Sequence, residues 1–316
     1  MIYDLSIIIV SWNTSELLKA CLGSVFEKIS DIDYEVIVVD NFSSDDSVLM
    51  VEEFFPQVKL IKSDENLGFS GGNNIGTKVA SGRNILYLNS DTLVVDDSVQ
   101  RTFDFLESDA DIGMISCRIN NTDGTLQPNC SLFPSILNML LFVSGLYKIF
   151  KSNRFFGREK LTWWAYDSIR EVDVLSGCFM MIRKEVIVNS GLMDDVFFMY
   201  YEETDWCFRI KNNNWKIVYI PYGGIIHHGG GSAAKLGATR ANIKDKSALI
   251  YMKKNWGYSR FIIGAVLLHV FYLSRLPLAF LLDVFNSNEI SKSRLSNHLS
   301  GLKSLYAIFL NVHKEK

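Results

Sequence analysis

Cysteine is scarce in this chain, and the spacing of the few that occur argues against two classes of protein. Only five cysteines stand among 316 residues. They lie far apart and form no Cys-x-x-Cys pair, which argues against a disulfide framework and against a zinc site. This pattern fits a reducing, cytoplasmic compartment. The five are Cys21, Cys117, Cys130, Cys178 and Cys207.

Two common nucleotide-binding signatures are also missing. The glycine-rich stretch 66–76 matches neither the dinucleotide motif Gly-x-Gly-x-x-Gly nor the P-loop motif. This argues against a dinucleotide-dependent oxidoreductase and against a P-loop NTPase. The residues before the first strand-like run, Leu5–Val10, leave no room for a basic region and a cleavage site, so we expect no signal peptide.

The composition is that of a globular protein, with 48% hydrophobic and 21% charged residues. The net charge of −3 hides an asymmetry, because eleven basic residues face only four acidic ones from residue 241 onward. An acidic body with a basic, apolar tail indicates contact with an anionic membrane surface. We therefore expect no nucleic-acid partner.

Short β-rich runs alternate with helix-like stretches through the first half of the chain. This alternation predicts an α/β fold with a mostly parallel sheet covered by helices. We expect one domain over 1–240. The predicted strands are 5–10, 35–40, 58–61 and a run ending at Asn89, and the predicted helices are 15–27, 45–54 and 70–80.

The remaining residues, 241–316, predict a helical tail. Within it, the apolar stretch 261–282 reaches the length of a membrane span. Arg275 would be costly in hydrocarbon, and Pro277 would kink the helix. We therefore expect an in-plane or re-entrant helix at the inner face of the cytoplasmic membrane. A true span and a soluble packing or homodimer helix are the alternatives.

Polar residues follow three of the predicted strands at the point where each strand ends. In sheets of this kind, ligands bind outside the carboxyl ends of the strands. A carboxylate there can hold a divalent cation against a nucleotide diphosphate, because hard cations prefer oxygen ligands. The Asn/Gly loop 66–76 allows close backbone approach and begins a helix whose N-terminus favours phosphate or sugar oxygens. The three strand ends are Ser11-Trp12-Asn13, Asp40-Asn41 and Asn89-Ser90-Asp91.

In their order along the chain, these motifs and several later ones resemble the family 2 glycosyltransferases, inverting enzymes with the GT-A fold. The branch most closely resembled is that of the rhamnosyltransferases of bacterial polysaccharide assembly. The resemblance covers roughly residues 4–235. It implies that the 1–240 domain has a nucleotide-sugar half at about 1–100 and an acceptor half at about 100–240. It rests on Val10–Asn13, Val38–Asp45, Asn66–Gly76, Leu88–Asp91, Asp173–Gly177, Phe197–Arg209 and the stretch from His227 to Ser232.

The resemblance implies roles for individual residues. Asp40 would bind the pyrimidine, and Asp91 would hold Mg²⁺ or Mn²⁺ across the two phosphates of a nucleotide sugar. Because Asn89 stands where the family often has a first aspartate, a site with one carboxylate is expected. His227 would supply a further ligand as a neutral imidazole, with His228 as the alternative. The other expected donor-binding residues are Ser11, Asn13, Asn41, Asn66, Gly68, Phe69, Asn73, Asn74, Asn89 and Ser90.

The family usually reads Glu-Asp-x-Asp where this chain reads Glu202-Glu203-Thr204-Asp205. By this resemblance Glu203 would be the general base that takes the proton of the acceptor hydroxyl, with one more methylene than aspartate. Glu202 and Asp205 complete the expected catalytic set. Alternatively, these two carboxylates orient the acceptor or cap the following helix.

The implied function is metal-dependent, inverting transfer of a sugar to a saccharide or polyprenyl-diphosphate-linked saccharide in cell-surface polysaccharide assembly. The resemblance favours dTDP-L-rhamnose as the donor, and a UDP-hexose or UDP-galactofuranose is the alternative with the same chemistry. A nucleotidylyltransferase would share the sheet and the metal, but its basic glycine-rich loop is missing after the first strand. An inactive saccharide-binding or scaffold protein is the third reading.

Overall fold

The first 89 residues of the chain alternate between strand and helix in the computed structural model, which describes residues 3–231, 233–237, 239–277, 280 and 289–314. The strands are buried runs of β-branched and leucine residues, while α1 buries Leu18, Cys21, Leu22 and Val25 at helical spacing. The elements are β1 (Leu5–Ser11), α1 (Ser15–Lys28), β2 (Tyr34–Asp40), α2 (Ser47–Phe54), β3 (Lys59–Lys62), α3 (Gly68–Val79) and β4 (Asn84–Asn89).

The second half adds shorter strands and further helices. After β4 come β5 (Thr92–Val94), α4 (Ser98–Ser108), β6 (Ile112–Ser116), β7 (Ile119–Asn120), β8 (Cys130–Ser131), α5 (Ile136–Ser144), α6 (Leu146–Ile149), β9 (Arg170–Glu171), β10 (Val174–Leu175), β11 (Phe179–Arg183), α7 (Lys184–Ser190), α8 (Glu202–Asn212), β12 (Lys216–Tyr219) and β13 (Ile225–His227). The helices α9 (Thr239–Trp256), α10 (Tyr258–Leu273) and α11 (Glu289–Lys314) follow.

The main sheet of the described residues has eight strands in the order β3-β2-β1-β4-β11-β6-β12-β9. The first four pair in parallel, and β11 runs antiparallel between β4 and β6. A second, three-stranded sheet has the order β5-β13-β7. This arrangement confirms the predicted α/β fold with a mixed, mostly parallel sheet. All five cysteines are free thiols buried in the protein.

The chain divides into two compact units. The first comprises 1–133, 164–198 and 202–235, and the second comprises 134–163, 199–201 and 236–316. The sequence analysis placed 134–163 in the acceptor half of the 1–240 domain. The structure places these residues in the second unit because they carry aromatic side chains that pack there: Phe142 of α5 stacks on Phe271 of α10 with ring centroids 5.1 Å apart.

The second unit carries the predicted helical tail, and α10 in it has two different faces. Phe261, Gly264, Ala265, Leu267 and Tyr272 are buried. A stripe at helical spacing is exposed instead, and we call it the α10 stripe: Ile263, Val266, Val270 and Leu273. Among the described residues, no helix has both the length and the hydropathy needed to cross a bilayer. Residues 278, 279, 281 and 282 of the predicted apolar stretch lie outside the described residues.

The start of α3 holds the segment that leads into α8. The Phe69 N–H donates to the Phe198 carbonyl oxygen at 2.8 Å, and the Ser70 hydroxyl donates to the Phe197 carbonyl. Gly68 has a φ of +71°, and a Cβ at this position would overlap the Phe198 carbonyl. Only glycine therefore fits both the backbone conformation and the close approach.

We expect Gly68→Ala to destabilise the protein more than Gly124→Ala, which serves as its matched control. Gly124 also has a positive φ, of +80°, but nothing lies within 4 Å of its added Cβ. Both substitutions pay the left-handed backbone cost of about 1–2 kcal/mol. Only Gly68→Ala adds the clash, worth about 1–3 kcal/mol more. Urea unfolding measures both, and equal losses would contradict the assigned contact.

Candidate active site

The parallel register brings the predicted polar strand ends side by side. Ser11 at the end of β1 lies opposite Asp40 at the end of β2, and Asn89 of β4 lies opposite Val10. A chain of buried hydroxyls joins the first and last of these ends. Thr14 Oγ1 lies 2.9 Å from Ser11 Oγ and 3.0 Å from Ser90 Oγ. The sequence analysis did not single out Thr14, although its place just after a strand end was a signal.

Asp40 offers a buried acceptor at this edge. Its Oδ2 accepts a hydrogen bond from the Ser43 N–H at 3.0 Å. Its Oδ1 is also buried and has no hydrogen-bond partner among the described residues. Since a buried polar atom without a partner is costly, the site is suited to a ligand that donates an N–H there.

Asn13 shapes the loop that follows Asp40. Its backbone is left-handed, with a φ of 55°, and its side-chain oxygen accepts from the N–H groups of Ser44 at 2.7 Å and Asp45 at 3.3 Å. Lys235 donates to the Asn13 carbonyl oxygen. The observed contacts of Asn13 therefore organise the loop, and direct contact with a donor stays a prediction.

The asparagines in and near the Asn/Gly loop use their amide groups to hold the chain itself. These contacts give the set a structural role, and its role in donor binding stays a prediction. The side-chain amide of Asn41 donates to Asn66 Oδ1 at 3.0 Å and to the Gly68 carbonyl at 2.9 Å. The side-chain amide of Asn73 donates to the Phe69 carbonyl at 2.9 Å. The side-chain amide of Asn74 donates to the Met193 carbonyl at 2.8 Å. The Phe69 ring lies against Gly177, where a Cβ would approach it to 2.9 Å.

Asp91 and His227 meet because β5 and β13 pair antiparallel, with Thr92 opposite His227. Asp91 Oδ1 lies 3.1 Å from His227 Nε2, and Asp91 Oδ2 accepts from the Gly231 N–H at 3.0 Å. Burial disfavours the charged form of Asp91, but the adjacent His227 imidazole and the hydrogen bond from the Gly231 N–H outweigh it and lower the pKa of this carboxyl. Asn89 Nδ2 lies 3.3 Å from the same ring nitrogen.

Of the two candidate histidines, the structure brings His227 to Asp91. The side chain of His228 is exposed, and only its backbone N–H contacts Asp91, donating to the carbonyl oxygen at 2.9 Å. This contact fixes the turn after β13 without placing the second imidazole beside the carboxylate.

The Asp91–His227 pair fits two neighbouring ligands of one divalent cation. Their atoms are 3.1 Å apart, as expected for adjacent positions about 2.1 Å from an octahedral ion. No group of three or more His, Cys, Asp or Glu residues that could hold a metal occurs in the part of the chain that the structure describes. A cation at this pair would therefore take further oxygen ligands from a diphosphate or from water.

The acidic helix α8 begins with two neighbouring carboxyl groups in different environments. Glu202 is buried, whereas Glu203 is partly exposed. Burial and the adjacent Glu203 raise the pKa of Glu202 well above its usual range. The raised pKa favours the protonated form of Glu202 and disfavours a second negative charge beside Glu203.

Asp205, the third predicted carboxylate, has a structural contact. It is fully buried, and its Oδ2 accepts from Arg209 Nε at 2.9 Å. Arg209 in turn donates to the carbonyls of Ser190 and Leu192, the latter at 2.8 Å. Asp205 thus anchors α8 to the end of α7, and a catalytic role for it stays a prediction.

Comparison with known proteins decides the family. The model of glycosyl transferase family 2 matches residues 6–188, more than half of the chain. The chain belongs to this family. It is therefore a glycosyltransferase, as its sequence motifs indicated. Asp40 and Asp91 lie within the matched part, and the carboxyl groups of α8 follow after its end.

Relatives of this family 2 glycosyltransferase include a hexosyltransferase and a rhamnosyltransferase. The chain is 31% identical over 223 residues to the low-salt glycan biosynthesis hexosyltransferase Agl10 of Haloferax volcanii, covering 68% of this chain and 64% of that protein. It is 23% identical over 265 residues to N-acetylglucosaminyl-diphospho-decaprenol L-rhamnosyltransferase of Mycobacterium tuberculosis, covering 78% of this chain and 83% of that protein.

A solved structure shares the fold. The mannosyltransferase PcManGT from Pyrobaculum calidifontis, solved in complex with GDP-Man and Mn²⁺, aligns with a TM-score of 0.57 at 14% identity. The alignment covers 100% of this chain and 89% of that one. At this identity the likeness supports the predicted GT-A fold and carries no statement about substrate.

We expect Glu202→Gln to gain stability relative to the wild type as pH rises. Folding raises the pKa of Glu202 above its ordinary value of 4.5, so the folded protein binds this proton more tightly than the unfolded chain and the wild type loses stability as pH rises above about 4.5. Glutamine removes this contribution. Urea unfolding of both proteins between about pH 4 and pH 8 measures it, with the exposed Glu65→Gln as the control for losing a surface carboxylate. A difference between wild type and Glu202→Gln that does not change with pH would contradict the protonated state.

Proposed function

We propose that this glycosyltransferase moves a sugar from a pyrimidine nucleotide sugar to a hydroxyl of a saccharide or lipid-linked saccharide, with inversion at the anomeric carbon. The observation that carries the proposal is the alignment, along one sheet edge, of the unpaired Asp40 Oδ1 with the Asp91–His227 pair. Asp40 accepts the imide N–H of uracil or thymine. The Asp91–His227 pair faces the diphosphate.

The transfer is a single displacement in which Glu203 acts as the general base. The acceptor oxygen forms the new bond to the anomeric carbon, and the bond from that carbon to the diphosphate oxygen breaks. The electron pair leaves with the nucleotide diphosphate, and the proton passes to Glu203. The raised pKa of Glu202 disfavours a second negative charge beside Glu203, which supports Glu203 as the carboxylate of the pair.

Asp91 and His227 would hold a divalent cation, Mg²⁺ or Mn²⁺. When bound, the cation supplies positive charge that stabilises the departing diphosphate. Gly231 orients Asp91 through its backbone N–H, and the N-terminus of α3 adds a favourable field for phosphate or sugar oxygens.

The donor we propose is dTDP-L-rhamnose. Its thymine offers the imide N–H that Asp40 requires, and the M. tuberculosis relative is a rhamnosyltransferase. A UDP-hexose or UDP-galactofuranose presents the same N–H, so Asp40 does not separate these donors. The family assignment leaves no support for the nucleotidylyltransferase reading.

A donor panel tests this proposal. Release of nucleotide diphosphate from dTDP-L-rhamnose, UDP-glucose, UDP-galactofuranose, UDP-N-acetylglucosamine and GDP-mannose is measured with Mg²⁺ or Mn²⁺ and a polyprenyl-diphosphate-linked saccharide. We expect the pyrimidine donors to react and dTDP-L-rhamnose to react fastest. A preference for GDP-mannose would overturn the pyrimidine assignment, and full activity in chelator would overturn the cation.

The same assay separates the base from donor binding. Glu203→Gln keeps the shape of the side chain but cannot take a proton, so turnover should fall by about 10²–10⁴-fold. Donor affinity, measured by calorimetry, should stay unchanged. Turnover close to that of the wild type would remove Glu203 from the mechanism.

We also propose that the second unit binds the inner face of the cytoplasmic membrane through the α10 stripe. This stripe is apolar and exposed, with Val266 54% and Val270 39% accessible. The chain from residue 241 onward is strongly basic, which suits an anionic lipid surface. A membrane position would place the enzyme beside a lipid-linked acceptor.

Sedimentation with vesicles that contain phosphatidylglycerol tests the membrane surface. The double variant Val266→Glu/Val270→Glu should lose most of its vesicle binding, because two buried charges oppose insertion of the stripe. Val188→Glu is the control, since Val188 on α7 is 80% exposed and lies in the first unit. Unchanged binding of the double variant would refute the surface. A change from dimer to monomer in its solution mass would assign the stripe to a homodimer instead.

A further inference from the structure

His227 has a second contact, on the side of the ring away from Asp91. Its Nδ1 lies 2.6 Å from Gln127 Oε1, and both side chains are partly buried. The backbone of Gln127 is fixed as well, because its N–H donates to the Ile119 carbonyl at 2.9 Å. Ile119 belongs to β7, which pairs with β13 beside His227. Sequence reasoning gave no signal for Gln127.

The hydrogen-bond network fixes which end of the Gln127 amide faces the ring. The starting point is Asp123, a carboxylate that only accepts, and it takes the Thr125 hydroxyl hydrogen at 2.6 Å. Thr125 Oγ1 is then an acceptor for the amide N–H of Asn121 at 2.9 Å. The Leu126 carbonyl, another pure acceptor, lies 3.4 Å from the same amide nitrogen. Asn121 therefore presents its oxygen on its other side.

That oxygen determines the rest of the network. Asn121 Oδ1 accepts from Gln127 Nε2 at 2.9 Å, so Gln127 must turn its own oxygen toward the imidazole. An oxygen at 2.6 Å from Nδ1 requires a hydrogen on Nδ1. In the neutral ring, Nε2 then carries the lone pair and faces Asp91.

We propose that Gln127 is a positioning residue that selects the Nδ1–H tautomer of His227 and so presents Nε2 to a divalent cation beside Asp91. The inference rests on the cation site of the proposed function. Histidine ligands of metals usually donate their other ring N–H to a fixed acceptor, and losing that acceptor costs about 10–100-fold in metal affinity. Without Gln127, Nε2 is free to carry the hydrogen and donate it to Asp91. Its lone pair is then no longer available to the cation.

The tautomer is measured in the metal-free protein. Selective ¹⁵N-histidine labelling and long-range ¹H–¹⁵N spectra at about pH 9, well above the ordinary histidine pKa of about 6.5, report which nitrogen carries the hydrogen. The His227 signals are assigned by their loss in His227→Gln. We expect a protonated Nδ1 and a bare Nε2 in the wild type. A protonated Nε2 would overturn the proposal without any variant.

Variants then test whether Gln127 is the cause. Gln127→Met has similar size but no acceptor, so the Nε2–H form should appear and affinity for Mn²⁺ alone, followed by electron paramagnetic resonance, should fall about 10–100-fold. Gln127→Glu restores an acceptor and should recover the tautomer and most of the affinity. Gln100→Met, the same change on α4, should alter neither. An unchanged tautomer in folded Gln127→Met would refute the proposal.

The two readouts separate this inference from the proposed function. If the wild type shows the Nδ1–H form and loses it in Gln127→Met, Gln127 positions the ring whatever the substrate is. If the wild type binds no Mn²⁺, the cation site of the proposed function fails and this proposal fails with it. If Mn²⁺ binds equally to wild type and Gln127→Met, the cation site stands and the role of Gln127 is refuted.

Discussion

The parallel pairing of β1 with β2 and β4 is the constraint on which the site depends. In a parallel sheet the carboxyl ends of neighbouring strands reach the same edge, so a register that places Ser11 opposite Asp40 also fixes where β4 ends. Because side chains alternate between faces, a slip by one residue would turn each strand's buried set around. Because strand residues are buried on both faces of the sheet, such a slip would disrupt the close packing of both faces at once, and the position of the polar edge depends on that packing.

Two further elements are positioned at this edge by contacts outside the main sheet. The small sheet β5-β13-β7 brings His227 next to Asp91, although the two residues lie far apart in the sequence. The glycine at the start of α3 admits the Phe198 carbonyl and thereby holds the segment before the carboxyl groups of α8. The site thus combines a rigid strand edge with elements whose positions depend on a few close backbone contacts.

Sequence patterns predicted the elements of the first half to within about two residues, because strongly apolar strands and amphipathic helices leave clear periodicities. They also predicted the strand ends and the pairing of Asp91 with His227, the latter through family resemblance. They did not predict Thr14 or Gln127, since each acts through a partner that only the folded loops supply. Sequence patterns did not indicate that the segment 134–163 groups with the C-terminal helices, because its aromatic packing is long-range and carries no periodic signal.

The hydroxyl chain of Ser11, Thr14 and Ser90 links the hydrogen bonding at the end of β1 to that at the turn after β4. Each oxygen can donate or accept, and the middle one is within hydrogen-bonding distance of both ends. Rotation about three C–O bonds therefore reverses the direction of the whole chain without moving a heavy atom. A ligand that requires a donor at the end of β1 changes what the turn after β4 can offer. The hydrogen-bonding states at the ends of β1 and β4 are therefore coupled through the orientation of three hydroxyl hydrogens, with no movement of the backbone.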